Sequence, residues 1–237
     1  MSPARLYAAI EATWPAASIT RLGPWAIRDG QGGGKRVSAA SAEDTFGAGD
    51  IAAAEDAMRA LGQRPLFWIR QGDGRVNTAL ALRGYDRIDP VLLYAAPVGR
   101  LAHLPPPVSA FLMEAPLAIM EEIWAEGGIG PARLAVMTRA SEPKVMALGR
   151  VADRPAGVGF AAMFGDIAMV HAVETRTALR RKGAGRYMMQ ALAVWAEEQG
   201  AQHVALAVTH GNTAARHLYQ SLGMEIAGRY HYRIKKG

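Results

Sequence analysis

The run Ala168-Met-Val-His-Ala-Val-Glu-Thr-Arg-Thr-Ala-Leu-Arg-Arg-Lys-Gly-Ala-Gly-Arg186 decides how this chain is read. It begins as an apolar strand and passes through a short basic loop. Gly183-Ala184-Gly185 then opens a helix of about four turns, ending near Gly200. Backbone N–H groups at a helix start have no intrahelical acceptor and point outward at the positive end of the helix dipole. Glycines there let a phosphate approach those groups with no side chain in the way, and Arg180, Arg181, Lys182 and Arg186 add positive charge. That combination is a pyrophosphate site.

Working outward, the helix turns Met188, Ala191, Leu192 and Trp195 inward, and the strand Val204–Val208 follows. Next comes Asn212-Thr-Ala-Ala215-Arg-His-Leu218-Tyr219, a second helix that stops at Leu222-Gly223-Met224. Arg180-Arg-Lys-Gly183-Ala-Gly185 resembles the Arg/Gln-x-x-Gly-x-Gly/Ala loop by which GNAT N-acetyltransferases hold the pyrophosphate of acetyl-CoA. The segment from Asn212 to Tyr219 resembles that family's Asn-x-x-Ala-x-x-Leu-Tyr. The resemblance covers roughly Phe111 to Arg233 and is strongest from Val170 to Met224. Two positions depart from it. Thr175-Arg176-Thr177 stands where Val-x-Pro is frequent, which leaves the turn less rigid, and Met224 replaces the usual aromatic.

The resemblance implies acetyl-CoA as co-substrate and a primary amine, of a small molecule or a protein, as acceptor. Acetyl transfer would proceed by direct attack in a ternary complex, because no nucleophile for a covalent intermediate is visible. It implies that the backbone of Val173 and Thr175, with Glu174 between them, holds the pantetheine arm. A strand N–H near Val173 would face the thioester oxygen and stabilise the oxyanion. Arg180, Arg181, Lys182, Gly183, Ala184, Gly185 and Arg186 would hold the pyrophosphate, with Asn212, Ala215 and Tyr219 completing the cofactor set. Tyr219 is the candidate general acid for the departing sulfur, or else a core tyrosine on the Ala215–Leu222 face. His171 is the candidate base or relay, since an imidazole titrates near neutrality. A buried histidine bonded to the backbone is the competing reading. Simple alternation puts His171, Val173 and Thr175 on one strand face and Glu174 on the other, unless a bulge turns it inward. Asn212 is also a favoured helix cap. Tyr230, His231 and Tyr232 either line the acceptor pocket or alternate along a strand. A non-catalytic, CoA-binding regulatory protein is the alternative to an enzyme.

The wider chain fits this frame. Half of its 237 residues are hydrophobic and 20% are charged, enough for a sizeable core. Cysteine is absent, which removes disulfides, thiolate metal sites and a cysteine nucleophile, and no metal is expected. No stretch approaches the roughly 18 apolar residues of a membrane helix. The N-terminus reads as an amphipathic helix capped by Ser2 and not as a signal peptide, so a cytoplasmic location is expected. The net charge of +6 brings nucleic acid into consideration, but it is dispersed and no recognition motif accompanies it. Its two dense runs are Arg176–Arg186 and the basic end Arg233–Lys236.

The order of elements predicts an α+β, mixed α/β fold with a mostly antiparallel sheet flanked by helices. The Pro105-Pro106-Pro107 cluster divides the chain into residues 1–104 and 108–237. Leu66–Ile69, a turn and a helix ending at Leu82-Arg83-Gly84 echo Val204–Val208 and its helix, so two GNAT-like units are expected. The first would be degenerate, with no glycine signature opening a helix. It would shape the acceptor pocket, survive as a relic or mediate a homodimer. Gly30-Gln-Gly-Gly-Gly-Lys-Arg36 fails as a Walker loop, with Asp29 at the required glycine and Arg36 at the required hydroxyl, and reads as a hairpin loop. Strands are expected at Arg36–Ala39 and Ala132–Arg139, and a helix from Phe111 to Glu126.

Overall fold

The computed structural model describes residues 1–47 and 49–235; Lys236, at the basic end, falls outside them. The first part of the chain runs α1 (Pro3–Thr13), β1 (Ser18–Leu22), β2 (Trp25–Asp29), α2 (Lys35–Ser38), β3 (Ser41–Ala42), α3 (Asp50–Ala60), β4 (Leu66–Arg70), α4 (Gly74–Leu82) and β5 (Tyr85–Pro97). The remainder runs β6 (Ala110–Met113), α5 (Ala118–Glu126), α6 (Pro131–Arg139), β7 (Lys144–Val151), β8 (Arg154–Phe164), β9 (Ile167–Thr175), α7 (Ala184–Glu198), β10 (His203–Thr209), α8 (Thr213–Ser221) and β11 (Glu225–Lys235). No helix among the described residues is long and apolar enough to cross a membrane.

Eight strands form one sheet in the order β4-β11-β5-β10-β9-β8-β7-β6, antiparallel except for the β9–β10 pair. Strands from before and after the proline cluster interleave, since β5 lies between β10 and β11, and β11 lies between β4 and β5. The expected boundary at residue 104 is therefore no gap in the sheet. β1–β3 form a small second sheet, joined to the large one by the parallel bridge Ala40–Phe67.

Helices cover both faces. α7 presses Met188, Met189, Leu192, Ala193 and Ala196 onto a core that also holds Val170, Leu206 and Tyr219. Burying each large side chain there contributes about 1.5–3 kcal/mol. On the opposite face α1, capped by Ser2, packs Leu6 and Ile10 on β9, β10 and β11 residues, while Trp14 joins the α5–α6 cluster around Trp124.

Three local expectations are corrected. Residues 132–139 are α6 and not a strand: Pro131 sits in its first turn, and Val136, Met137 and Ala140 are buried at helical spacing. Residues 111–113 are strand β6 and not helix, because Pro116 prevents the helix from extending back to them, and α5 begins after Leu117. Residues 35–38 are the single turn α2 and not a strand; so short an apolar run carries no periodicity to separate the two states. The glycines before α2 permit close approach, for a side chain on Gly33 would lie 2.7 Å from Val136.

Candidate functional site

β9 and β10 are paired only from Ile167/His203 to Val170/Leu206. Beyond that register both strands continue, β9 with β8 and β10 with β5, so a slot opens between the two parallel strands. A bulge shapes its β9 wall. Val158 faces Glu174 and Phe160 faces His171, so three steps on β9 answer two on β8, and Ala172 takes φ 51°. The bulge breaks the alternation expected for this strand. His171 lies against Trp14 and Phe160 on the α5 face, whereas Val173 packs with the α7 core. Glu174 turns to the α5 side, its side chain lying over the bare backbone of Gly127, where a Cβ would come within 2.7 Å of it.

The basic loop leads from this wall to α7. Arg176 makes a paired contact with Glu126 and so ties the loop to α5, and Arg180 Nε donates to the Thr175 carbonyl at 3.1 Å. Gly183 caps α7 with φ 94°, a conformation glycine adopts without cost, and no side chain accepts from the helix start. The first-turn N–H groups are left for an external acceptor. Gly185 lets α8 come close, since a Cβ there would meet Leu218 at 2.9 Å, and Arg186 donates to Ser221 across the two helices. Beside this loop a cavity of about 290 Å³ is lined by Arg100, His103, Arg186, Gln190 and Ser221 among others.

Tyr219 is 6% exposed in the core on the α7–α8 side, near Tyr94. Burial, then the nearby Glu174 charge, pushes its phenol well above the ordinary range, so it stays protonated. Glu174 is itself raised by burial, against the pull of Arg180 and Arg133. Asn212 caps α8, its Oδ1 accepting from Ala215 N at 3.1 Å. Tyr230 and Tyr232 belong to the α1-side core, and His231 bonds Asn77 from the other face.

His171 has different surroundings from those of a free base. Arg36 donates to its Nδ1 at 3.0 Å, which leaves the proton on Nε2, and Nε2 lies 2.8 Å from the Thr13 hydroxyl. Thr13 in turn donates to the Ala9 carbonyl at 2.5 Å. Burial, then Arg36, depresses the imidazole well below its usual range. The ring is neutral and both nitrogens are engaged. Its partners Arg36 and Thr13 come from α2 and α1, far away in sequence, and no local pattern announces them. Trp124, readable only as an inward helical residue, donates from Nε1 to the Ala172 carbonyl at 2.8 Å, directly at the bulge.

The first half holds a feature the sequence reading denied it. Gly47 and Gly49 precede α3, with Gly49 as its cap, whereas Gly183 caps α7 and Gly185 lies in its first turn; Ala48 lies outside the described residues. Here Asp50 accepts the Gly47 N–H at 2.7 Å, and the loop before it reads Glu43-Asp44-Thr45-Phe46.

Residues 112–224 match the model of the Acetyltransferase (GNAT) family. The Bacillus subtilis (strain 168) protein named Uncharacterized N-acetyltransferase YobR is 25% identical over 238 residues, 95% of each chain. A GCN5-related N-acetyltransferase from Kribbella flavida superposes with a TM-score of 0.72 at 19% identity, covering 100% of this chain and 97% of that one. A structure described as a tandem GNAT protein from the clavulanic acid biosynthesis pathway gives 0.58 at 14% identity, covering 82% and 74%.

Proposed function

We propose that this chain, a GNAT-family acyltransferase whose family domain spans residues 112–224, moves an acetyl group from acetyl-CoA to a primary amine by direct attack. The observation that carries this reading is the slot between β9 and β10, flanked by the uncapped start of α7. The donor supplies a thioester-activated acetyl group. The chain supplies everything else: N–H groups from residue 183 onward and the Arg180, Arg181, Lys182 and Arg186 charges for the pyrophosphate, and the edge of β9 from Val173 to Thr175 for the arm. The cavity beside Arg186 has room for part of the nucleotide end.

Of the two candidate bases, the geometry favours Glu174. His171 has no free lone pair, whereas the Glu174 carboxylate beyond the bulge makes no such paired contacts among the described residues and lies within electrostatic reach of Tyr219. Glu174 takes the proton from the amine, and Tyr219 gives one to the sulfur. The interleaved strands support a duplicated ancestry, in which residues 1–104 are a degenerate unit that passes β5 to its neighbour and receives β11.

One experiment tests the assignment: acetyl-CoA turnover on a panel of primary amines with wild type, Tyr219→Phe and Glu174→Gln. Tyr219→Phe should lower kcat about 10–100-fold with little change in acetyl-CoA affinity. In wild type, activity should fall as pH drops through a pKa above the usual carboxylate range, and Glu174→Gln should erase that limb. Binding of acetyl-CoA without turnover on any amine would leave a regulatory CoA-binding protein instead.

A further inference from the structure

We infer that Trp124, through its hydrogen bond to the Ala172 carbonyl, is a positioning residue that aims the Val173 N–H at the reacting acetyl group. The inference rests on the reading above that acetyl-CoA lies in the β9–β10 slot.

The Ala172–Val173 peptide is a rigid plane, and in a trans peptide the C=O and the following N–H point in opposite directions. The indole Nε1–H holds the Ala172 oxygen at 2.8 Å on the α5 side of the sheet. The Val173 N–H on the same plane is thereby turned away from α5. Left to regular pleating, this stretch would not adopt the conformation, for Ala172 stands at φ 51°, a region that residues with a Cβ enter rarely and at a cost of order 1 kcal/mol. Something outside the strand must hold it. Trp124 is fully buried between Met120, Ile123 and the β8 residues of its cluster, so the donor is itself fixed.

The neighbouring residue is held with equal care. His171 is clamped between Arg36 at 3.0 Å and Thr13 at 2.8 Å, so the strand just before the bulge cannot rotate to relieve it. Both anchors lie on the face away from α7. An N–H fixed in advance where negative charge develops contributes more than one that must first reorient, because no reorganisation accompanies the reaction. Trp124 never touches the substrate in this account; it acts through one peptide plane.

The test replaces the donor and keeps the shape. Trp124→Phe removes the N–H, and 3-benzothienylalanine at position 124 replaces it by sulfur within a ring of the same outline. In both, kcat should fall about 10–100-fold with acetyl-CoA KM changed less than about threefold. In the ligand-free protein the 15N–1H resonance of Val173 should shift. With acetyl-CoA labelled at the acetyl carbonyl, the infrared carbonyl band should move back toward its position in free acetyl-CoA. A benzothienyl variant that keeps wild-type kcat and an unmoved carbonyl band overturns the inference. Should Trp124→Phe fail to fold, the benzothienyl variant alone decides. Wild type that neither binds nor turns over acetyl-CoA would instead overturn the functional reading on which the inference stands.

Discussion

Two of the helices that follow closely spaced glycines, α3 and α7, have openings of opposite electrostatics. Before α7 the loop is Arg180-Arg181-Lys182-Gly183, followed by Arg186; before α3 it is Glu43-Asp44-Thr45-Phe46-Gly47, followed by Asp50. Asp50 and Arg186 stand at the same distance from their first glycine. At the second opening the arginine reaches across to Ser221 and leaves the helix start uncapped. At the first, the aspartate folds back and takes the Gly47 N–H for itself. That bond closes the loop two residues ahead of the Gly49 cap, while the Asp50 carboxylate itself brings negative charge to the positive end of α3. What separates the two openings is therefore the sign and reach of one side chain, more than the glycines.

The sharpest way to break this contrast is to write the first loop's residue into the second. Arg186→Asp should place a carboxylate where it can accept from the Gly183 N–H, while it also repels pyrophosphate. We expect acetyl-CoA affinity to fall about 100-fold, about 2.8 kcal/mol at 1.4 kcal/mol per tenfold, with the melting temperature little changed. Calorimetric titration of acetyl-CoA checks it. An affinity within threefold of wild type would mean that Arg186 and the helix start do not hold the nucleotide.

The converse substitution has a smaller effect. Asp50→Ala frees the Gly47 N–H and removes a favourable charge from the start of α3, so stability should fall by about 0.5–1 kcal/mol. Unfolding in urea should show a lowered midpoint with an unchanged slope. Acetyl-CoA stoichiometry should remain one per chain, since the loop still carries Glu43 and Asp44. A second equivalent bound by Asp50→Ala would show that the Asp50–Gly47 bond alone closes the first loop.

The same contrast explains what could be read from sequence. The second loop is legible because its chemistry is local: glycines, cations, a strand before and a helix after lie within one contiguous stretch, Ala168–Gly200. The first loop shares the glycines but lacks the cations, so nothing local in it marks a phosphate site. The α+β sheet and most helices follow from periodicity and caps, as at Ser2 and Asn212. The bulge at Ala172 does not, because a left-handed alanine is imposed by contacts from Trp124 and from the clamp on His171, all far away in sequence. One extra residue in the strand put Glu174 on the same α5 side as His171 and separated His171 from Val173, so strict period-two alternation does not hold across it. Interleaving of the strands was equally hidden, since pairing partners across the proline cluster leave no mark in either segment alone.

The two halves can also be compared through a histidine in each environment. His171 sits in the clamp beside the slot, and His231 bonds Asn77 of α4 on the side of the first half. Both are depressed: His171 by burial and then Arg36, His231 to about 4 by burial and then Arg87 and Arg233. A depressed folded pKa means that the unfolded chain binds the proton more readily. The resulting stability is complete above the unfolded value near 6.5 and is lost as pH falls below it. For His231 the loss should be complete near pH 4; for His171 it extends over the range below 6.5 set by a more completely buried ring. Stability measured in urea from pH 7.5 to 4.5 should therefore decline. His231→Gln should flatten that decline by less than one proton's slope, and His171→Gln by at least as much. The His171 variant should also perturb the Val173 amide resonance, because its clamp adjoins the bulge; the His231 variant should leave that resonance in place. A decline unaltered in both variants would show that neither ring is held neutral by the fold.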